Sequence, residues 1–201
     1  MKIAITANKG GVGKSFAAII LTQLALAHER SVTLIDVDPQ KNAFAALDGL
    51  TSATVMATEG RSPKLDKYGF ADDDFVILDT PRSCESAGAR SAIEQSDLVV
   101  IPVRTEAFAI AGMKEALALA QSYEKPYLIL LMLPVKVSSS SQKMIDELVK
   151  EFGKKLIQWP SSELASRNIE SRKDFYKGMR ESSYDRFDAL YKIISKIERS
   201  K

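Results

Sequence analysis

Residues 8–15 read NKGGVGKS and lie directly between two contrasting sequence patterns. Residues 2–7, KIAITA, have the short apolar pattern of a buried strand, whereas residues 16–27 carry apolar side chains at helical spacing. A glycine-rich turn between a strand and a helix can direct successive backbone N–H groups at one anion, and the helix N-terminus attracts negative charge. This stretch therefore predicts a phosphate-binding loop.

The side chains of the loop support the same interpretation. Gly10, Gly11 and Gly13 can adopt backbone conformations that are closed to other residues. Lys14 is expected to neutralise the charge of the β- and γ-phosphates, and the Ser15 hydroxyl is expected to bind Mg²⁺. The alternative is a flexible strand-to-helix turn with two solvated lysines, which a motif in this context makes the weaker interpretation.

The loop follows the variant pattern K-G-G-x-G-K-[ST], in which Asn8 stands at the first glycine of the usual motif and Lys9 is a second lysine. This variant resembles the deviant P-loop of the ParA/MinD family of ATPases, and is closest to the small ParA-type DNA partition ATPases. The resemblance implies that Lys9 crosses to the nucleotide of the facing subunit, so that two chains enclose two ATP molecules. One position departs from the family: Phe16 stands where most members have Thr or Ser, so a hydroxyl that could contact the α-phosphate is missing.

Two further predicted strands end in acidic residues. Residues 31–35 are followed by Asp36 and Asp38, whose spacing places both carboxylates on one side of the strand at the edge where open α/β sheets bind ligands. An Asp-Pro turn that merely closes the strand is the alternative. Residues 75–78 are followed by Asp79, the Walker B arrangement, from which a carboxylate can reach the Mg²⁺ shell through water.

The D-x-D-P-Q segment also resembles ParA proteins, and the resemblance assigns Asp38 to orienting the attacking water and Asp36 to supporting Mg²⁺ through its waters. The catalytic candidates are Lys9, Lys14 and Asp38; the nucleotide-binding candidates are Lys9, Gly10, Gly11, Val12, Gly13, Lys14, Ser15 and Phe16; the metal candidates are Ser15, Asp36 and Asp79. Because no late N-K-x-D motif indicates guanine, the expected cofactors are ATP and Mg²⁺. We expect an ATPase with weak intrinsic activity. Phosphoryl transfer requires mainly positioning and charge stabilisation, which these residues could supply without a covalent intermediate.

Apolar strands and helical patterns alternate from end to end of the chain. This alternation predicts an α/β fold with a single doubly wound, mostly parallel sheet and helices on both faces, as in P-loop NTPases. Residues 97–103 and 126–133 are apolar on both faces, as central parallel strands should be. Residues 51–72 are the least patterned part of the chain, with loops marked at residues 51–53, 60–63 and 69. A chain of 201 residues that is 45% hydrophobic suits one P-loop ATPase domain over residues 1–201.

Composition excludes several other classes of protein. The single cysteine, Cys84, cannot form an internal disulfide or a cysteine-based zinc cluster. No apolar run reaches the roughly 18 residues that span a bilayer, and the N-terminus has a strand pattern instead of a signal segment. We therefore expect a cytoplasmic protein and do not expect a membrane partner.

Positive charge is concentrated near the end of the chain. Residues 167–201 contain 10 Lys and Arg against 6 Asp and Glu, although the net charge of the whole chain is only +2. By resemblance, this stretch aligns with the region where ParA dimers bind DNA without sequence preference; its candidate residues are Arg167, Arg172, Lys173, Lys177 and Arg180. The alternative is an ordinary solvated helix face, because acidic residues interleave with these cations.

The resemblance implies a nucleoid-associated ATPase that forms an ATP-bound homodimer and partitions or positions plasmid or chromosomal DNA. A ParB-like centromere-binding protein, or another activator, would stimulate hydrolysis. One alternative is an ATPase that positions a protein cargo. Another is a MinD-like membrane-associated ATPase, because Phe187, Leu190, Tyr191, Ile194 and Ile197 form an apolar stripe. That stripe suits the closing of the protein's own core equally well.

Overall fold

Seven strands form one sheet in the computed structural model of the chain. The structure describes residues 1–49, 52–58, 60–61, 63–71, 74–134, 136–159 and 181–200. The strands are β1 (Lys2–Ile5), β2 (Val32–Asp36), β3 (Thr54–Ala57), β4 (Phe75–Asp79), β5 (Leu98–Val103), β6 (Tyr127–Met132) and β7 (Leu156–Trp159). The helices are α1 (Lys14–Ala27), α2 (Asn42–Leu47), α3 (Ala87–Gln95), α4 (Ala107–Ser122), α5 (Ser139–Phe152) and α6 (Glu181–Arg199), with short 3₁₀ helices at Leu65–Tyr68 and Gly153–Lys155.

The sheet has the strand order β3-β2-β4-β1-β5-β6-β7, and every neighbouring pair is parallel. The register pairs Ile5 with Asp79 and Asp36 with Asp79. The carboxyl ends of β2, β4 and β1 therefore lie side by side at one edge. Ligands of open α/β sheets bind at this edge, so the order brings the three predicted site segments together.

Helices cover both faces of the sheet. On one face, buried side chains of α1, α2 and α6 pack against alternate strand residues such as Ile3 and Ile5. On the other face, buried side chains of α3, α4 and α5 pack against the intervening residues, among them Ala4. Successive side chains of a strand point to opposite faces, and both faces are apolar because both are covered. The predicted doubly wound α/β fold is confirmed.

The edge strand β3 was not predicted, and it lies in the least patterned part of the sequence, residues 51–72. Thr54–Ala57 is short and its side chains are exposed or half-buried, so it lacks the apolar run that marks the central strands. The strand exists because its backbone pairs with β2, from Thr33 opposite Thr54 to Asp36 opposite Ala57. Pairing of this kind depends on tertiary structure and leaves little trace in a four-residue sequence.

The last helix, α6, closes the core on the α1 face of the sheet. Phe187, Leu190 and Ile194 are fully buried. Phe187 meets Trp159 of β7 edge-on, with ring centroids 5.1 Å apart, and meets Phe16 of α1 at 6.5 Å. Most side chains of the apolar stripe identified in the sequence are thus buried in the protein's own core. Over the residues that the structure describes, none of the helices combines the length and apolar character needed to cross a membrane.

Candidate nucleotide site

The glycine-rich loop turns sharply between β1 and α1. Gly11 and Gly13 have φ angles of 75° and 105°, a region that side chains other than glycine's rarely adopt. Gly13 precedes the first residue of α1, and no side chain caps that helix end. The backbone N–H groups of the first helical turn therefore have no capping side chain and can serve an anion.

The loop forms one wall of a pocket of about 210 Å³. Gly10, Gly11 and residues 13–16 line it from the loop. Asp38, Gln40 and Asn42 line it from the segment between β2 and α2, and Arg82 lines it from the segment after β4. Sequence segments that lie far apart along the chain are thus brought together around a single cavity at the carboxyl edge of the sheet.

Lys14 is the buried cation of this pocket. Its side chain is only slightly exposed, and its Nζ donates to the backbone carbonyl of Lys9 at 3.3 Å. Burial lowers the pKa of Lys14, whereas the nearby carboxylates of Asp79 and Asp38 act to raise it. A desolvated ammonium group gains most from an added anion, so Lys14 is placed to bind phosphate.

Asp79 is fully buried at the end of β4, and neither of its carboxylate oxygens has a hydrogen-bond partner of normal geometry. The pKa of Asp79 is raised to about 8, chiefly by desolvation and then by the charge of Asp36, while the neighbouring Ser15 hydroxyl and Lys14 oppose the shift. A buried carboxylate without a partner is costly unless a cation compensates it. The orphaned oxygens beside Ser15 therefore fit a metal-shell position.

Magnesium would need further ligands from outside the protein. Within the described ranges, no group of three His, Cys, Asp or Glu side chains could hold a metal ion. Mg²⁺ is usually held by one or two carboxylates together with water and substrate phosphates. The pair formed by Ser15 and Asp79 fits such a nucleotide-dependent site, in which bound Mg²⁺ would offset phosphate charge.

The two acids after β2 differ in their surroundings. Asp36 is fully buried, and its Oδ1 and Oδ2 accept the backbone N–H groups of Asp38 at 3.0 Å and Phe44 at 2.9 Å. Desolvation raises the pKa of Asp36, while these hydrogen bonds act to lower it. Asp38 is half-buried, lines the pocket, and accepts from the N–H of Gln40 at 2.9 Å. Asp36 thus organises the backbone that carries Asp38 to the pocket.

The remaining nucleotide-binding candidates lie in different places. The Val12 side chain is buried in the core of the α4 face and does not line the pocket. Phe16 lines the pocket and also packs against the core that contains Phe187. Lys9 is half-buried and is not among the residues that line the pocket. A Cβ built on Gly112 of α4 would come within 3.5 Å of Lys9 Cβ, so Lys9 borders α4.

Some candidates cannot be placed, and others were missed. The five DNA-binding candidates, Arg167, Arg172, Lys173, Lys177 and Arg180, lie outside the described residues. Sequence reasoning gave no role to Gln40, Asn42 or Arg82, although all three line the pocket. Arg82 alone offered a signal, as a cation just after the Walker B strand. Gln40 and Asn42 resemble any polar loop residues, and only the folded chain reveals their position.

The model of the CobQ/CobB/MinD/ParA nucleotide-binding domain matches residues 3–175 of the chain. The chain belongs to this nucleotide-binding family. The matched range contains the glycine-rich loop, Asp36, Asp38 and Asp79, so the family assignment and the geometry concern the same residues.

Relatives of this family are similar over part of their length. Protein ParA of Rhizobium radiobacter is 32% identical over 130 residues, which cover 61% of this chain and 57% of the relative. Maintenance of carboxysome distribution protein A of Gloeobacter kilaueensis is 31% identical over 106 residues, covering 50% and 47%. The chain thus spans about half the length of the curated relatives it matches.

A solved structure shares the fold over nearly the whole chain. It is a Borrelia burgdorferi B31 protein assigned to plasmid partition and bound to AMPPNP, an ATP analogue. It superimposes with a TM-score of 0.77 and 18% identity, covering 96% of this chain and 98% of that one. At this identity the likeness establishes the shared fold, and the roles of particular residues depend on the geometry of the pocket.

Proposed function

We propose that this chain is a ParA-type ATPase that forms an ATP-bound dimer, binds DNA without sequence preference and positions plasmid or chromosomal DNA. The observation that carries the proposal is the convergence of Lys14, Asp38 and Asp79 on the uncapped start of α1. A buried cation and a half-buried acid that line the pocket, with a fully buried acid near the cation, suit phosphoryl transfer, which depends on positioning and electrostatics.

Each residue has a distinct task in the proposed reaction. The first N–H groups of α1 and the Lys14 ammonium bind phosphate oxygens. Ser15 and Asp79 hold Mg²⁺, which when bound offsets the negative charge of the phosphates. Asp38 orients the attacking water, and Asp36 keeps the surrounding backbone in place by accepting the N–H groups of Asp38 and Phe44. These tasks require no covalent intermediate with the protein.

Dimerisation is proposed from the position of Lys9. The side chains of Lys14 and Ser15 line the pocket of their own chain, but that of Lys9 does not. Lys9 instead borders α4 beside Gly112. A cation next to the pocket, but outside its lining, is available to the nucleotide of a facing chain, which supports the sandwich dimer implied by the resemblance.

The charge distribution and the similarity to a ParA protein favour DNA as the partner. Residues 167–201 hold 10 basic against 6 acidic residues, and one relative bears the name ParA. Binding through phosphate neutralisation requires no base recognition and weakens steeply with salt. A protein cargo is the second candidate, because another relative is named for carboxysome distribution. Either cargo would use the same ATP-dependent dimer, and a ParB-like or other activator would stimulate its ATP hydrolysis.

The membrane alternative is less well supported by the fold. In α6, the apolar residues Phe187, Leu190 and Ile194 are fully buried against the rest of the chain. Insertion of this stripe into lipid would expose Trp159 and Phe16, which pack on Phe187. The cost of opening that core makes membrane binding by α6 an unfavourable way to use this helix.

The decisive experiment combines hydrolysis with DNA cosedimentation. We expect slow Mg²⁺-dependent phosphate release by the wild type, and pelleting with DNA when ATP, but not ADP, is present. Asp38→Ala should bind ATP, hydrolyse it far more slowly and remain with DNA for longer. Pelleting should decrease as salt is raised from 50 to 200 mM, because released counterions drive such binding, with about a thousandfold loss for six phosphate contacts. Failure of the wild type to bind ATP would contradict the proposal. Equal pelleting with DNA in ATP and in ADP would contradict ATP-dependent DNA binding.

A further inference from the structure

Arg82 lies against the phosphate-binding loop of its own chain. It follows β4 by three residues, in the segment between Asp79 and the start of α3. The register that pairs β4 with β1 brings this segment beside the loop that leaves β1. Arg82 is the only lining residue of the pocket that comes from the segment after β4. Its position is therefore a consequence of strand order and not of sequence proximity.

The contact between Arg82 and the loop is close. A Cβ built on Gly10 would stand 2.7 Å from Arg82 Nε and 3.1 Å from both Cδ and Cζ. The 2.7 Å distance is too short for a real Cβ, so a side chain at position 10 would require the flexible end of Arg82 to shift from its place over the Gly10 backbone. Gly10 has no positive φ angle that would by itself demand glycine. Close approach of Arg82 thus gives Gly10 a local reason to lack a side chain.

Arg82 also adds its charge to the pocket. Its positive charge is one of the factors that lower the pKa of Lys14, after desolvation, which is the largest. Arg82 is exposed, and among the described residues its guanidinium makes no hydrogen bond or ion pair. By contrast, the guanidinium of Arg90 on α3 forms an ion pair with Glu85. Arg82 is therefore a cation with spare donors at the mouth of a phosphate pocket.

We propose that Arg82 binds the terminal phosphate of ATP within the same chain. This inference rests on the proposed ATP-binding function and assigns a further substrate-binding residue to the same site. A planar guanidinium can donate two parallel N–H groups to phosphate oxygens, which the single ammonium of Lys14 cannot do.

The test compares nucleotide affinities instead of turnover alone. Dissociation constants for fluorescent AMPPNP and fluorescent ADP, both with Mg²⁺, are measured for the wild type, Arg82→Ala and Arg82→Lys. We expect Arg82→Ala to weaken AMPPNP binding about tenfold or more, the size of one lost charge-assisted contact, while ADP binding changes by less than about twofold. Arg82→Lys should fall between, because it keeps the charge but loses the paired donors.

Arg90→Ala is the matched control, since Arg90 is an exposed arginine of the same region whose side chain pairs with Glu85. Both of its affinities should remain at the wild-type values. Equal weakening of AMPPNP and ADP by Arg82→Ala, or no weakening of either, would overturn the inference. Failure of the wild type to bind either nucleotide would instead overturn the proposed function on which the inference depends, so the two failures are distinguishable.

Discussion

Among single residues, Asn8 explains why the first glycine of the usual loop motif is absent here. Its side-chain amide donates to Glu115 of α4, and its Oδ1 accepts the backbone N–H of Cys84 at 3.3 Å. The side chain therefore ties the loop to α4 and to the segment after β4. A glycine could make neither contact, so the motif departure has a structural reason that the linear pattern does not reveal.

Phe16 has a similar explanation. Where the family resemblance favours a small hydroxyl residue, its ring packs edge-on with Phe187 and joins α1 to the last helix. The residue also lines the pocket, so it serves the core and the site at once. An aromatic pair of this kind contributes about 0.5–1.5 kcal/mol beyond the burial of its area. The sequence identified the departure but could not indicate its partner.

Asp36 and Asp79 form a matched pair for a stability prediction. Both are fully buried, yet Asp36 accepts two backbone hydrogen bonds and Asp79 has no partner for either oxygen. Asp36→Asn places an NH₂ group against a backbone N–H, and should lower the free energy of unfolding by about 1–3 kcal/mol. Asp79→Asn breaks no such bond and should cost less. Urea unfolding of both nucleotide-free variants checks this, and equal losses would contradict it.

Among the elements, α6 is held to the body of the chain by polar contacts as well as by its apolar face. Arg30 Nη1 and Nη2 donate to the two carboxylate oxygens of Glu198 at 2.9 and 3.0 Å. The ring of His28 stacks on Tyr191 with centroids 4.1 Å apart. These contacts join the end of α1, and the residues that follow it, to the last helix, so α6 is fixed along much of its length.

The ion pair of α6 predicts a pH dependence. The hydrogen bond from Arg30 holds the pKa of Glu198 below its ordinary value of 4.5. Because the folded pKa is lowered, the stabilisation is present above pH 4.5 and is lost as the pH falls through the folded value. Glu198→Gln should lower the free energy of unfolding by about 1 kcal/mol at pH 7. Urea unfolding at several pH values should show the two proteins converging in strong acid.

Lys143→Ala, on the exposed side of α5, provides the control for that series. It removes a charge from another helix and should leave the unfolding curve close to that of the wild type at every pH. A difference between Glu198→Gln and the wild type that stayed constant down to strongly acidic pH would show that the ion pair is not its source.

For the whole molecule, the position of Lys9 predicts a change of assembly without a loss of binding. Lys9→Ala should bind ATP within about twofold of the wild type, because the Lys9 side chain does not line the pocket of its own chain. It should fail to dimerise with ATP and should lose stimulated turnover. Light scattering with AMPPNP checks the mass of the particle in solution, and an unchanged dimer would refute the assignment of Lys9 to the interface.

The central strands of the sheet could be predicted from the sequence, but the edge strand and the strand order could not. The continuous apolar runs of β5 and β6 predicted central strands, since both faces of a doubly wound sheet are buried. The strand β3 was not predicted because its four residues are exposed or half-buried and form no continuous apolar run. The order β3-β2-β4-β1-β5-β6-β7 could not be predicted from the residues at all, because hydrogen bonds between strands join backbones and not side-chain patterns.

The sequence by itself determined the glycine-rich turn before α1, the acids at the ends of β2 and β4, and the alternation of strands with helices, because each depends on residue types at fixed local spacing. Only the tertiary structure decided that Asp36 serves the backbone of Asp38, that the stripe of α6 lies in the core, and that Arg82 lies over Gly10. These outcomes depend on which strands are neighbours and on which groups lose contact with water. Both conditions are set by the packing of segments that are distant along the chain, and neither can be predicted from a short stretch of sequence.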